Sequence, residues 1–175
     1  MRAIKDQPSP AYKQEVIIRP AKRTDAAAIC RLLHELAQSE GRHSLQTEQT
    51  VRLDLLGKTS PLRLLVAQAE KEAVGLLCYY HGYDVESASY GTHLADLIVT
   101  ESWRGQKIGT RLMSALAAIT LKEGGEWVSW TVLEKNQRAL GFYTGLGGKT
   151  IPVHFMAIGK EDVKKLSGKL TNSGI

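Results

Sequence analysis

Arg104, Gly105, Gln106, Lys107, Ile108, Gly109 and Thr110 have the types and the order needed to hold a phosphate group. They follow a β-rich apolar run, Leu97-Ile-Val99, and open an amphipathic run, so the chain passes from a strand through a glycine-punctuated turn into a helix. N–H groups at a helix start lack an intrahelical acceptor and carry partial positive charge, which suits them to pyrophosphate oxygens. Gly105 and Gly109 let a ligand approach the main chain, and Arg104 and Lys107 add charge. The same residue types also build ordinary surface turns, and this segment alone supports both readings.

Some 30 residues later comes Asn136-Gln-Arg-Ala139-Leu-Gly-Phe142-Tyr143-Thr-Gly145-Leu-Gly147. In this order and at this spacing the two segments together resemble the GNAT superfamily of acetyl-CoA-dependent N-acetyltransferases, and the resemblance spans residues 16–160. It implies that residues 104–110 bind the pyrophosphate of acetyl-CoA, with Lys107 standing where the family has the first glycine of its turn. It further implies that the backbone of Ile98 and Val99 faces the pantetheine, which lies like an extra strand between two splayed strands. Tyr143 takes the family's place for the general acid. Asn136 either contacts the pantetheine or caps its helix, a role that asparagine fills well. The implied fold is an α/β GNAT acyl-CoA N-acyltransferase fold, a mixed and mostly antiparallel sheet with splayed strands flanked by helices.

Composition fits one domain. With 175 residues, 43% hydrophobic and 23% charged, the chain can bury a substantial core without splitting. We expect a leader over 1–14, a single domain over 15–168 and a tail over 169–175. No apolar run reaches the roughly 18 residues of a membrane span, and Met1-Arg-Ala-Ile-Lys-Asp lacks the apolar centre of a signal peptide, so a cytoplasmic location is expected. Cys30 and Cys78 have no metal-ligand or redox spacing and read as buried thiols, with no metal expected. The net charge of +5 invites a nucleic-acid partner, but several of its lysines fall in the expected tails and no aromatic-basic stripe accompanies them. The phosphates of CoA suffice as a partner for the positive charge.

Pattern places a strand at 15–19, stopped by Pro20, a helix from the Thr24 region to Gly41, and a second helix over 47–56. Apolar runs at 62–69 and 74–80 form a hairpin, 93–99 is the next strand, and the phosphate turn opens a helix that ends at Gly124-Gly125. A strand over 127–133, a helix over 136–145, a closing pair of strands around 149–151 and 154–158, and a terminal helix over 161–168 complete the order.

Acetyl transfer to an amine requires a neutral amine and a proton for the departing thiolate. A primary amine with a pKa of about 10.4 is only about one part in 10³ neutral at pH 7, equivalent to roughly 4–5 kcal/mol, so a base is required. A tyrosine, with a pKa of about 10, can protonate a thiolate comparable to cysteine at about 8.5. Tyr143 shares a helix face with Ala139 and Asn136 and suits that task, although beside Phe142 it also reads as a core aromatic.

Ile18-Arg-Pro-Ala, Leu33-His-Glu-Leu-Ala, Tyr79-Tyr80 with Tyr83-Asp84, Leu94-Ala-Asp96-Leu-Ile-Val and Trp130-Thr-Val-Leu-Glu-Lys-Asn136 are similar to the spermidine/spermine N-acetyltransferase branch. That branch carries a Glu-Asp pair on the strand before the turn, and here the glutamate position is Ala95, with Asp96 retained. If the strand is regular, His93 shares the face of Ala95 and can act as base, since histidine titrates near neutral pH. A bulge instead favours Asp96. A water chain to Glu134 or His81 is the third route. Tyr80, Tyr83, Asp84 and Glu86, beside Tyr79 and His81, read either as an edge attracting a cationic small-molecule amine or as a hydrated loop. The acceptor is a polyamine, a diamine, an amino-acid-like amine or a protein amine, and a CoA-binding module without turnover is the non-enzymatic reading. Relatives in this group are often dimers, and we expect a homodimer joined through the apolar segment 151–158.

Overall fold

Every residue of the run Leu64-Leu-Val-Ala67 is buried, whichever way its side chain points, because helices cover both faces of the sheet that contains it. The computed structural model describes residues 15–169, which fall into two compact units, 15–133 and 134–169. The expected leader over 1–14 and the tail beyond 169 lie outside the described residues.

In the first unit five strands stand in sequence order: β1 (Val16–Pro20), β2 (Arg63–Ala69), β3 (Glu72–Asp84), β4 (Ser89–Val99) and β5 (Trp127–Trp130). The first four pair antiparallel and β5 joins β4 in parallel. The connection between β4 and β5 is the helix α3 (Ile108–Lys122), as a parallel neighbour requires a crossover. Helix α1 (Ala26–Ser39) covers one face, where Ala26, Ile29 and Leu32 pack with Leu64, Val66, Leu76, Cys78 and Ile98. Helix α3 covers the other and touches all five strands with Ile108, Leu112 and Leu116 buried. Gly75 lies so close to Leu112 and Ala67 that a Cβ there would meet them at 3.3 and 3.2 Å. Arg19 at the end of β1 donates to both Asp25 oxygens at 2.7 and 2.8 Å, tying the strand to the start of α1. The expected second helix is one α turn, α2 (Glu48–Thr50), capped by Thr47 and continued as a π turn over Val51–Leu55.

Two expectations about strands are corrected. The β3–β4 hairpin runs on past residues 80 and 93 to a turn at 85–88, because Gly82 faces Gly91 and Tyr83 packs on Tyr90 with ring centroids 4.7 Å apart. No strand forms over 149–151 or 154–158, where Pro152 removes a ladder donor and the chain is irregular and exposed. The second unit instead consists of α4 (Gln137–Gly145), this irregular segment and α5 (Lys160–Ser167).

Candidate active site

The register between β3 and β4 shifts at one place. Cys78 faces Asp96, the next residue Tyr79 faces Leu94, and Ala95 is passed over as a bulge. In a regular strand His93 and Ala95 would share a face. With one extra residue between them, His93 and Asp96 come to the same face instead, the one that Cys78 and Tyr80 share and that α1 covers. The bulge that the sequence left open is therefore present, and it turns both candidate bases to one side.

Asp96 is half-buried, and its carboxyl is held above the ordinary aspartate range, first by burial and then by the negative Glu40, with Arg42 partly opposing. Glu40 and Arg42 follow α1 and form an ion pair. His93 is enclosed by Tyr80, stacked at 5.0 Å between centroids, and by Trp127, edge-on at 4.9 Å. Its Nδ1 lies 2.5 Å from Ser129 Oγ. Glycine is required beneath this cluster, since a Cβ at Gly82 would strike His93 at 2.7 Å and one at Gly91 would strike Trp127 at 2.1 Å.

Beyond the bulge β4 has an open edge. Its pairing with β5 ends at Leu94 opposite Trp130, while β4 continues to Val99. Thr100 N–H donates to Val74 C=O at 2.9 Å, and the alternation of an antiparallel ladder then directs the main-chain groups of Ile98 to β3 and those of Leu97 and Val99 to the open edge. Ile98 thus contributes a core side chain, and its place on the edge passes to Leu97. Val99 C=O accepts from Arg104 Nε at 2.9 Å, which fastens the turn to the strand.

After a single 3₁₀ turn, Glu101–Trp103, the chain reaches Gly105 with φ +77° and Lys107 with φ +61°. Lysine in this left-handed region costs about 1–2 kcal/mol, which explains why a glycine suits the position. The first helical bond of α3 runs from Arg111 N–H to Lys107 C=O at 3.0 Å, and no side chain caps the helix start. The N–H groups of Ile108, Gly109 and Thr110 precede that bond and point out of the helix end beside Gln106. A strand edge that turns the main-chain groups of Leu97 outward, running into a helix start with three donors unclaimed among the described residues, suits an extended amide chain that ends in a diphosphate.

The Acetyltransferase (GNAT) family profile matches residues 28–147. The chain belongs to the GNAT acetyltransferase family. It is 30% identical over 168 residues to thialysine N-epsilon-acetyltransferase of Bos taurus, covering 88% of this chain and 98% of that protein. It is 28% identical over 141 residues to spermidine/spermine N(1)-acetyltransferase-like protein 1 of Homo sapiens, covering 74% of this chain and 20% of that protein. Among solved structures, an integron cassette protein from V. cholerae shares the fold with a TM-score of 0.77 at 22% identity, over 87% of this chain and 97% of that one. GNAT enzymes take their acetyl group from acetyl-CoA.

Not all of the acceptor cluster read from this acetyltransferase's sequence comes together. Tyr80 lies on the His93 side, but Tyr83 alternates to the opposite face and packs on Tyr90. Asp84 and Cys78, the residue opposite Asp96, are six positions apart on β3, about 20 Å at ~3.3 Å per residue. Asp84 accepts from Glu86 N–H at 3.0 Å in the hairpin turn, and its carboxyl is held below the usual range by the Ser87 side chain and by that N–H. His81 also leaves the face, its Nδ1 lying 3.6 Å from Glu123 of the α3 end. Trp127 and Ser129, which contact His93, and Glu40 and Arg42, whose charges act on Asp96, escaped the sequence reading because they come from segments far apart along the chain.

In the second unit Asn136 caps α4, its Oδ1 accepting from Ala139 N–H at 3.1 Å. Tyr143 follows on the same helix face, with Phe142 edge-on at 5.0 Å. Cys78 is buried and its thiol is pushed up, by burial first and then by Asp96, so it is a poor nucleophile. Cys30 directs its S–H to Gln46 C=O at 3.4 Å. Among the described residues no cluster of His, Cys, Asp and Glu suits a metal ion, and no helix is long and apolar enough to cross a membrane.

Proposed function

We propose that this acetyltransferase moves the acetyl group of acetyl-CoA directly to a primary amine of a small molecule, with Asp96 as the base and Tyr143 as the acid. The observation that carries this reading is the bulge at Ala95, which presents Asp96 on the face of His93 and Tyr80 in surroundings that raise its proton affinity. A carboxylate so raised attracts an ammonium group and removes its proton more readily than an ordinary aspartate. Acetyl-CoA supplies the thioester. Asp96 takes one proton of the ammonium, the neutral nitrogen forms a bond to the acetyl carbon as the carbon–sulfur bond breaks, the hydroxyl proton of Tyr143 goes to the thiolate sulfur, and the second proton of the nitrogen leaves through water to restore the phenol. Leu97 and Val99 hold the pantetheine by main-chain groups, while Arg104, Gly105, Gln106, Lys107, Ile108, Gly109 and Thr110 hold the diphosphate. His93, fixed by Ser129, Tyr80 and Trp127, lines the acceptor side. The bovine relative named for thialysine and the human relative named for spermidine and spermine both support a small amine as acceptor.

CoA release, followed with a thiol reagent over a panel of diamines, polyamines and amino acids, tests the proposal. Release with at least one amine, lost in Asp96→Asn, is the expected result. The absence of the family's glutamate at Ala95 favours one other reading, a CoA-binding module with little turnover. Thermal stabilisation by acetyl-CoA without release on any amine establishes that reading instead.

We further infer a cytoplasmic homodimer. Ile151, Val153, Phe155, Met156 and Ile158 are 56–87% exposed, and a second copy of the chain is the natural cover for so much apolar surface. Sedimentation of the wild type should give twice the monomer mass, and Phe155→Ser with Met156→Ser should shift it to the monomer.

A further inference from the structure

Beside the end of β1 lies a cavity of about 320 Å³ that no step of acetyl transfer uses. Pro20 of β1, Arg63 and Leu65 of β2, Tyr79 of β3, Ile119 of α3 and Leu55 of the π turn line it. Its size falls within the range of ligand pockets, about 300–1,000 Å³, and π turns often accompany functional sites. Tyr79 alternates with Cys78 and Tyr80 along β3, so it lies on the α3 face, away from Asp96 and His93. Most of this wall is apolar. Arg63 and Tyr79 are the exceptions, and they stand directly opposite one another on β2 and β3, which brings their side chains together on one face. Tyr79 is 5% exposed, and its hydroxyl has no hydrogen-bond partner among the described residues. No fully enclosed polar side-chain atom among those residues lacks a partner, so the phenol reaches solvent through the cavity that it lines. Burial pushes its pKa up, with Glu123 adding to the rise and Arg63 opposing it, so the phenol keeps its proton at neutral pH and can donate a hydrogen bond. Glu123 has His81 Nδ1 at 3.6 Å as its own partner. Arg63 Nη1 donates to Ser60 C=O at 3.0 Å and to Leu62 C=O at 3.3 Å, which anchors the guanidinium at the rim and leaves Nε and Nη2 without an acceptor among the described residues.

We propose that this cavity binds a small carboxylate with a hydrocarbon body, at a site separate from those of acetyl-CoA and the acceptor amine. Arg63 and Tyr79 donate to the carboxylate oxygens, while Pro20, Leu55, Leu65 and Ile119 take the apolar body out of water. An amine of the same length sets a second cation against the guanidinium and loses that pairing. Because the walls come from the π turn, three strands and α3, an occupant ties these elements together and stabilises the fold by mass action. The site stands apart from the acetyl transfer proposed above.

Sodium octanoate is the probe, titrated into the full chain with its isoleucine and leucine methyls followed by NMR, and octylamine is the control of opposite charge. Saturable shifts at the Leu55, Leu65 and Ile119 methyls are expected with octanoate, unchanged when acetyl-CoA is also present in excess. Octylamine should leave those methyls in place. Arg63→Gln should weaken octanoate binding at least tenfold and Tyr79→Phe about threefold, while Arg63→Lys should restore part of the affinity by returning the charge without the fork. The melting temperature of each variant without octanoate serves as the folding control, and the comparison of octanoate with octylamine on the wild type needs no variant. No saturable shift at these methyls, an equal response to octylamine, displacement of octanoate by acetyl-CoA, or unchanged affinity in Arg63→Gln overturns the inference. Each of those results leaves acetyl transfer to amines intact, and silence on every amine in the wider panel leaves this site intact.

Discussion

In the reaction proposed above, the two ends of β4 meet their ligands by different means. From Leu97 onward the strand, the turn and the start of α3 offer main-chain groups, which most side chains leave in place. From His93 to Asp96 the groups proposed to work are side chains, brought to one face by a bulge. The first end tolerates Lys107 in place of a glycine at a modest conformational cost. The second has no such tolerance: in the reaction proposed above, with Ala95 at the glutamate position, the role of base falls to the neighbouring Asp96.

Substitution at the side-chain end should therefore have the largest effect. Asp96→Asn should reduce kcat/KM by about 10²-fold or more, the range of a lost general base, while calorimetry shows acetyl-CoA binding retained. The same change should stabilise the fold at neutral pH. The pKa of Asp96 is raised on folding, so its favourable contribution is complete below the unfolded value of about 3.9 and is lost as pH rises through the folded value. Thermal melts should show Asp96→Asn above the wild type at pH 7 to 8, with the gap closing near pH 4. A smaller loss, about tenfold in turnover with little change in cofactor affinity, is expected for Tyr143→Phe, and unchanged turnover removes that residue from the acid role.

At the main-chain end the conformation matters more than the side chain. Gly105→Val forces a β-branched residue to φ +77° and should weaken acetyl-CoA binding about tenfold by calorimetry. Lys107→Gly relieves the left-handed lysine and should leave the dissociation constant within about threefold, with a slightly higher melting temperature. A large loss of affinity in Lys107→Gly would instead place the binding energy in the ammonium group and dissolve the contrast between the two ends.

The main-chain end was the more legible in sequence. A β-rich run, two glycines and an amphipathic helix dictate strand, turn and helix start locally, and the apolar runs of β2 and β3 announce a sheet covered on both faces. The bulge was visible only as an alternative, because register depends on the partner strand and no residue type marks it. Gly82 and Gly91 hid the length of the hairpin, since low β-propensity gave no hint that Trp127 and His93 need the space above them. The apolar residues over 151–158 mimic strands in sequence, but a strand forms only where a neighbour supplies its hydrogen bonds. Glu40 and Arg42 close a helix in the sequence and gain meaning only from the strand that the helix covers.

The most direct test is the pH dependence of kcat/KM for amine acetylation in the wild type, Asp96→Asn and His93→Ala. In the wild type the rate should rise along an acid-side limb as the base loses its proton. Asp96→Asn should abolish that limb and His93→Ala should keep it, whereas a limb that survives in Asp96→Asn or vanishes in His93→Ala contradicts the assignment of the base.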